Sequence, residues 1–168
     1  MHVLIVGEQG VGKTTLIHRI IEELGTPVWG FETKKAACQT ECGFPVFIHE
    51  TGKEWIEAQE NLVGYCENKV RQRFPNAFDR FAEKLQLPQE GIILMDELGT
   101  LENGAEVFCK RVLELLDGET PVLAAVKYKD TAFLQAVRGH KNAKCFYLTP
   151  ENRDSLYFEV LAFIKAQL

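Results

Sequence analysis

Short apolar runs alternate along this chain with stretches in which apolar residues return every three or four positions. That alternation marks βαβ units and a mainly parallel sheet covered by helices. His2–Val6 reads as the first strand. A helix follows from about Lys13 to Leu24, with Leu16, Ile17, Ile20, Ile21 and Leu24 on one face and Gly25 as its stop. Val28–Glu32 reads as a second strand. Lys34–Glu50, broken by Gly43 and Pro45 and carrying Val46-Phe47-Ile48, reads as a hairpin or an antiparallel extension of the sheet. Pro75–Leu87 carries Phe78, Phe81, Ala82 and Leu85, a helical stripe that reads as core.

Gly91–Met95 is a continuous apolar strand ending in Asp96-Glu97. Glu106–Leu116 is expected to be a helix with Val107, Val112, Leu113 and Leu116 turned inward. Pro121–Val126 reads as a buried strand, Thr131–Val137 as a short helix and Cys145–Leu148 as the last strand. Asp154–Lys165 closes the chain as a helix on Leu156, Val160, Leu161 and Ile164. The stretch Thr51–Phe74 is the least regular and the most polar, and reads as a mobile flap.

The length, 168 residues, suits one compact domain spanning 1–168. Hydrophobic residues at 46% and charged residues at 26% argue against disorder. A formal net charge of -5 repels polyanions, so no nucleic acid is expected as partner. The opening Met1-His2-Val3-Leu4-Ile5-Val6 lacks a charged leader and runs straight into Gly7. Nothing approaches the ~20 apolar residues of a spanning helix. A soluble, cytoplasmic protein with no membrane attachment is expected. The five cysteines, Cys38, Cys42, Cys66, Cys109 and Cys145, read as reduced thiols. Cys38 and Cys42 lack the second pair that a zinc site needs.

Gly7-Glu8-Gln9-Gly10-Val11-Gly12-Lys13-Thr14 fits G-x-x-x-x-G-K-[ST] in full, after a predicted strand and at the start of a predicted helix. The pattern has a physical reason. A triphosphate is dense in negative charge and needs many donors converging on it. Glycines let the backbone turn its N–H groups inward as an anion nest, and the helix adds its positive end. Lys13 reaches the outer phosphates. The Thr14 hydroxyl is a hard oxygen suited to Mg2+ beside the β- and γ-phosphates.

Ile92-Ile93-Leu94-Met95-Asp96-Glu97 supplies the acidic partner. Asp96 suits the metal, through a bound water. A second carboxylate is more than a metal needs, and Glu97 is suited to orient and deprotonate an attacking water. Adjacent strand residues face opposite ways, so the strand is expected to end at Asp96, with Gly99 allowing the turn.

The chain resembles a family of small nucleoside-triphosphatases typified by the cancer-related nucleoside-triphosphatase. The resemblance is carried by Gly7–Thr15, by Gly30-Phe31-Glu32-Thr33 and by Met95–Glu102. Pro121–Val126 and Thr149-Pro150-Glu151-Asn152-Arg153-Asp154 complete it. It implies a three-layer α/β P-loop NTPase fold, a mainly parallel sheet with an antiparallel hairpin extension. It also implies a slow, monomeric hydrolase of ATP, GTP and other triphosphates with little base preference, giving diphosphate and phosphate with Mg2+. Carried over by position, Lys13 and Glu97 are catalytic, and Thr14 and Asp96 hold the metal. Gly7, Glu8, Gln9, Gly10, Val11, Gly12, Lys13, Thr14 and Thr15 bind the nucleotide. Gly30–Thr33 lies beside the γ-phosphate, and Asn152 and Arg153 lie near the base or ribose. Where the family carries Gly-Lys-Tyr-x-Val, this chain has Val63-Gly64-Tyr65-Cys66.

Glu97 favours hydrolysis. The runner-up is a phosphotransferase, a nucleotide or small-molecule kinase, to which Arg71 or Arg73 would supply a lid arginine. A third reading is a nucleotide-gated binding module. Taken by themselves, Arg71 and Arg73 read as a solvated basic turn and Lys34 and Lys35 as surface lysines. Lys127 and Lys129, beyond a strand's C-terminal end, are candidates to flank the base. His2, His18, His49 and His140 show no partner spacing and no catalytic part.

Overall fold

The structure, a computed structural model, describes residues 1–86 and 90–168. Among the described residues eight strands form one sheet: β1 His2–Gly7, β2 Val28–Lys35, β3 Phe44–Glu50, β4 Leu62–Cys66, β5 Val70–Arg73, β6 Ile92–Leu98, β7 Val122–Lys127 and β8 Ala143–Tyr147. Five described α-helices cover it: α1 Lys13–Leu24, α2 Pro75–Lys84, α3 Glu106–Asp117, α4 Ala132–Arg138 and α5 Arg153–Lys165. The strand order is β5-β4-β3-β2-β6-β7-β1-β8. From β2 to β8 every pairing is parallel; from β2 out to β5 every pairing is antiparallel.

Alternation along the strands builds a core on each face of the sheet. Leu4 and Val6 point to the layer of α2, α3 and α4, where Phe78, Phe108 and Leu134 are fully buried. Val3 and Ile5 point to the layer of α1 and α5, against Ile17, Ile20 and Val160. Three layers result, as the sequence implied. Phe31 of the Gly-Phe-x-Thr segment is a core residue, edge-on to Phe81 and Phe108 at ring-centroid distances of 6.0 and 5.2 Å. Gly30 before it has φ +120°, and a Cβ there would stand 2.0 Å from the Leu94 carbonyl oxygen. Only glycine lets β2 lie against β6 at this point.

Several elements differ from expectation. Thr51–Phe74, read as irregular, contains β4 and β5. Both are short, and Val70-Arg71-Gln72-Arg73 is an edge strand whose polar residues mask its pattern. α3 buries Val112 and Leu116 as expected, with Leu113 packed partly against the core, but takes Phe108 and Leu115 inward and leaves Val107 exposed. α2 ends at Lys84; Leu85 is buried at its cap, and Leu87 lies outside the described residues. No described helix is long and apolar enough to cross a membrane.

Candidate active site

In an open parallel sheet, ligands bind beyond the carboxyl ends of the strands. There the loop from Gly7 to Gly12 joins β1 to α1. Gly10 and Gly12 have φ of +76° and +106°, backbone that only glycine adopts readily, and these turns carry the chain into the helix. Gly12 is the N-cap of α1 and no side chain caps that end. The first-turn N–H groups thus keep their donor capacity and the positive end of the helix dipole is unopposed.

Lys13 is 4% exposed, and its ammonium is satisfied within the site. It donates to the Gly7 and Glu8 carbonyl oxygens at 2.9 and 2.8 Å and pairs with Glu97 Oε2 at 3.1 Å. Thr14, on the exposed side of α1, donates its hydroxyl to Asp96 Oδ1 at 3.0 Å. Asp96 is 4% exposed. Burial pushes its carboxyl up to about 6 against the Thr14 hydrogen bond, and the charges of Glu97 and Glu32 push the same way. A carboxylate this short of compensation, with a hydroxyl oxygen beside it, is a donor set suited to a hard divalent cation.

The strand was expected to end at Asp96, and it does not: β6 continues to Leu98. The two carboxylates still converge, because the pairing with β7 steps from Asp96↔Ala125 to Leu98↔Val126 and leaves Glu97 without an opposite number. The Asp96–Glu97 peptide is cis. An extra residue in one strand re-aims its side chain, here back to the side occupied by Lys13. Glu97 also lies 3.8 Å from Lys127 Nζ, and its N–H donates to Thr33 Oγ1 at 3.3 Å.

Glu102 sits behind this group, fully buried. It accepts from the Gly99 N–H through Oε1 at 2.9 Å, while Oε2 has no partner among the described residues. Burial pushes its carboxyl up to about 7, and the Gly99 bond opposes this. A cavity of about 340 Å3 opens next to the loop, lined by Glu8, Gln9, Lys35, Lys69, Lys127 and Lys129.

Lys13, Thr14, Asp96 and Glu97 therefore come together, and the other expected residues take varied places. Glu8, Gln9 and Thr15 are exposed, and Val11 is in the core. Asn152 is committed to its own turn, accepting from the Thr149 N–H and donating to the Tyr147 carbonyl oxygen, both at 2.8 Å. Arg153 passes 3.9 Å from where a Cβ on Gly12 would stand. Arg71 pairs with Glu67 at 3.1 Å, and Arg73 donates to the Thr100 carbonyl oxygen at 2.8 Å. Lys34 lies over the Trp55 ring.

Sequence reading assigned no role to Glu102 and gave Lys127 to the base rather than to Glu97. It also treated His18 as isolated, whereas His18 stands 3.1 Å from Glu32. One signal was present: His18 follows Thr14 by four positions, one turn along the same helix face.

A P-loop, a helix opening on bare N–H groups and a paired acidic strand end define a P-loop nucleotide-binding protein. A profile described as NTPase matches residues 2–161, and the chain belongs to that family. The nucleoside-triphosphatase THEP1 of Methanocaldococcus jannaschii is 34% identical over 100% of this chain and 99% of its own. That of Aquifex aeolicus is 28% identical over 98% and 99%. The crystal structure of THEP1 from Aquifex aeolicus superposes with a TM-score of 0.68 at 27% identity, covering 97% of this chain and 98% of that one. The solution structure of a human cancer-related nucleoside triphosphatase shares the fold with the same TM-score at 24% identity.

Proposed function

We propose that this protein is a Mg2+-dependent hydrolase of nucleoside triphosphates with broad base tolerance, releasing phosphate and the diphosphate. The observation that carries the reading is the convergence of Lys13, Thr14, Asp96 and Glu97 on one side of the loop, within 3.0 to 3.1 Å of one another in pairs. The names of the relatives, nucleoside-triphosphatases, support it independently.

The roles follow from charge and reach. Loop N–H groups and Lys13 bind the phosphates, with Lys13 exchanging Glu97 for the outer phosphate oxygens. Thr14 and Asp96 would hold Mg2+, which would supply neutralisation of the triphosphate's charge. Glu97, released by Lys13 and still faced by Lys127, accepts the proton of the attacking water. Lys127, 3.8 Å away, holds that carboxylate in place. Arg153, beside Gly12, and Asn152 lie on the nucleoside side. The catalytic unit spans residues 1–168 and works as a cytoplasmic monomer that uses no nucleic acid.

The test is phosphate release from ATP, GTP, CTP and UTP, with Mg2+ and with a chelator. Release from all four that stops with the chelator is expected. Release unaffected by the chelator, or none from any triphosphate, would overturn the reading.

A further inference from the structure

We infer that His18, Glu32 and Asp96 form a divalent-cation site for borderline metals such as Zn2+ or Co2+, able to fill without nucleotide. Their ligand atoms all lie within 4.8 Å of one another, the only such group among the described residues. His18 Nε2 and Glu32 Oε1 are 3.1 Å apart. The arrangement is built by the fold from two directions. His18 lies one helical turn past Thr14 on α1, and Glu32 is the register partner of Asp96 across β2 and β6.

The donor set differs in kind from the one assigned to Mg2+. Mg2+ takes hard oxygens, keeps its waters and gains little from imidazole. One imidazole with two carboxylates suits later first-row ions, whose affinity for such donors climbs toward zinc and copper. Glu32 is 8% exposed, and among the described residues it is met by no lysine or arginine and has His18 as its one side-chain partner. Two buried carboxylates on adjacent strands repel each other, and a cation between them relieves that repulsion. His18 is half exposed, which leaves a path from solvent.

The site uses Asp96 in common with the Mg2+ role proposed above, so one ion excludes the other from that carboxylate. The inference does not rest on hydrolysis, because binding is read with no nucleotide present.

The experiment is a Co2+ titration of the full chain followed by visible absorption and calorimetry. The wild type is expected to bind one Co2+ with bands of nitrogen and oxygen ligation. His18→Ala and Glu32→Gln should each weaken binding by about tenfold or more, since losing even a group that only orients a ligand costs about 10- to 100-fold. Circular dichroism checks that both variants fold, and His18, being half exposed, is the change least able to disturb the fold. An intense thiolate band instead would put the ion on Cys38 and Cys42, the exposed cysteines, and overturn the assignment. Absence of binding, or equal affinity in wild type and His18→Ala, would overturn it as well.

Discussion

Replacing Glu97 with Gln is expected to move binding and turnover in opposite directions. In the structure Glu97 occupies Lys13, so a triphosphate competes with it for the ammonium. At 3.1 Å the gross attraction is about 5 kcal/mol at an effective dielectric of 20. Most of that is offset by desolvation and by the two carbonyl contacts Lys13 retains. A net of about 1 kcal/mol remains for a pair of which one member is buried and the other a quarter exposed. Glu97→Gln keeps the shape and removes the charge, so Kd for triphosphate should fall about fivefold. The same change removes the proton acceptor, and kcat should fall about 100- to 10,000-fold. Calorimetry with a non-hydrolysable triphosphate reads the first effect and single-turnover phosphate release the second. Tighter binding with unchanged turnover would assign water activation to another group. Weaker binding would refute the competition for Lys13.

Lys13→Ala should lose triphosphate binding in calorimetry, since the ammonium is the one side-chain cation inside the loop; wild-type binding would remove Lys13 from the phosphates. Gly30→Ala should destabilise the fold by about 3 kcal/mol, lowering Tm by about 10 °C, because the added Cβ would clash with the Leu94 carbonyl oxygen and φ is positive; an unchanged melt would contradict the close approach of β2 and β6. His2 accepts from the Val122 N–H and donates to the Leu116 carbonyl oxygen, so the fold needs its neutral form, and burial holds it below the ordinary histidine value. A depressed native value means a contribution complete above about pH 6.5 and lost as pH falls through the lower folded value. Urea midpoints measured from pH 7.5 to 5 should therefore fall less steeply in His2→Gln than in wild type; parallel curves would count against that role.

The loop and its helix were legible because glycine spacing and a helical stripe are local signals, and α1 spans the predicted Lys13–Leu24. The acidic strand end was legible in residue type but not in geometry. Period-two alternation predicts that Asp96 and Glu97 diverge, and the bulge that reunites them depends on pairing with β7, which local sequence does not state. The same holds for Lys127 and for His18 with Glu32, which meet only when distant strands and a helix are assembled. β5 escaped notice because four residues with two arginines carry no alternation.

Asp96 and Glu97 ride on β6, held between β2 and β7 near the middle of the sheet. The stretch Ile93–Asp96, paired on both sides, opens only when the domain opens, so amide exchange there should track global unfolding. Any adjustment that accompanies turnover must then come from the chain around it: the glycine loop, the Cys66–Val70 turn and the segment after β7. Asp96 is thereby anchored by the sheet, while the loops around it are not.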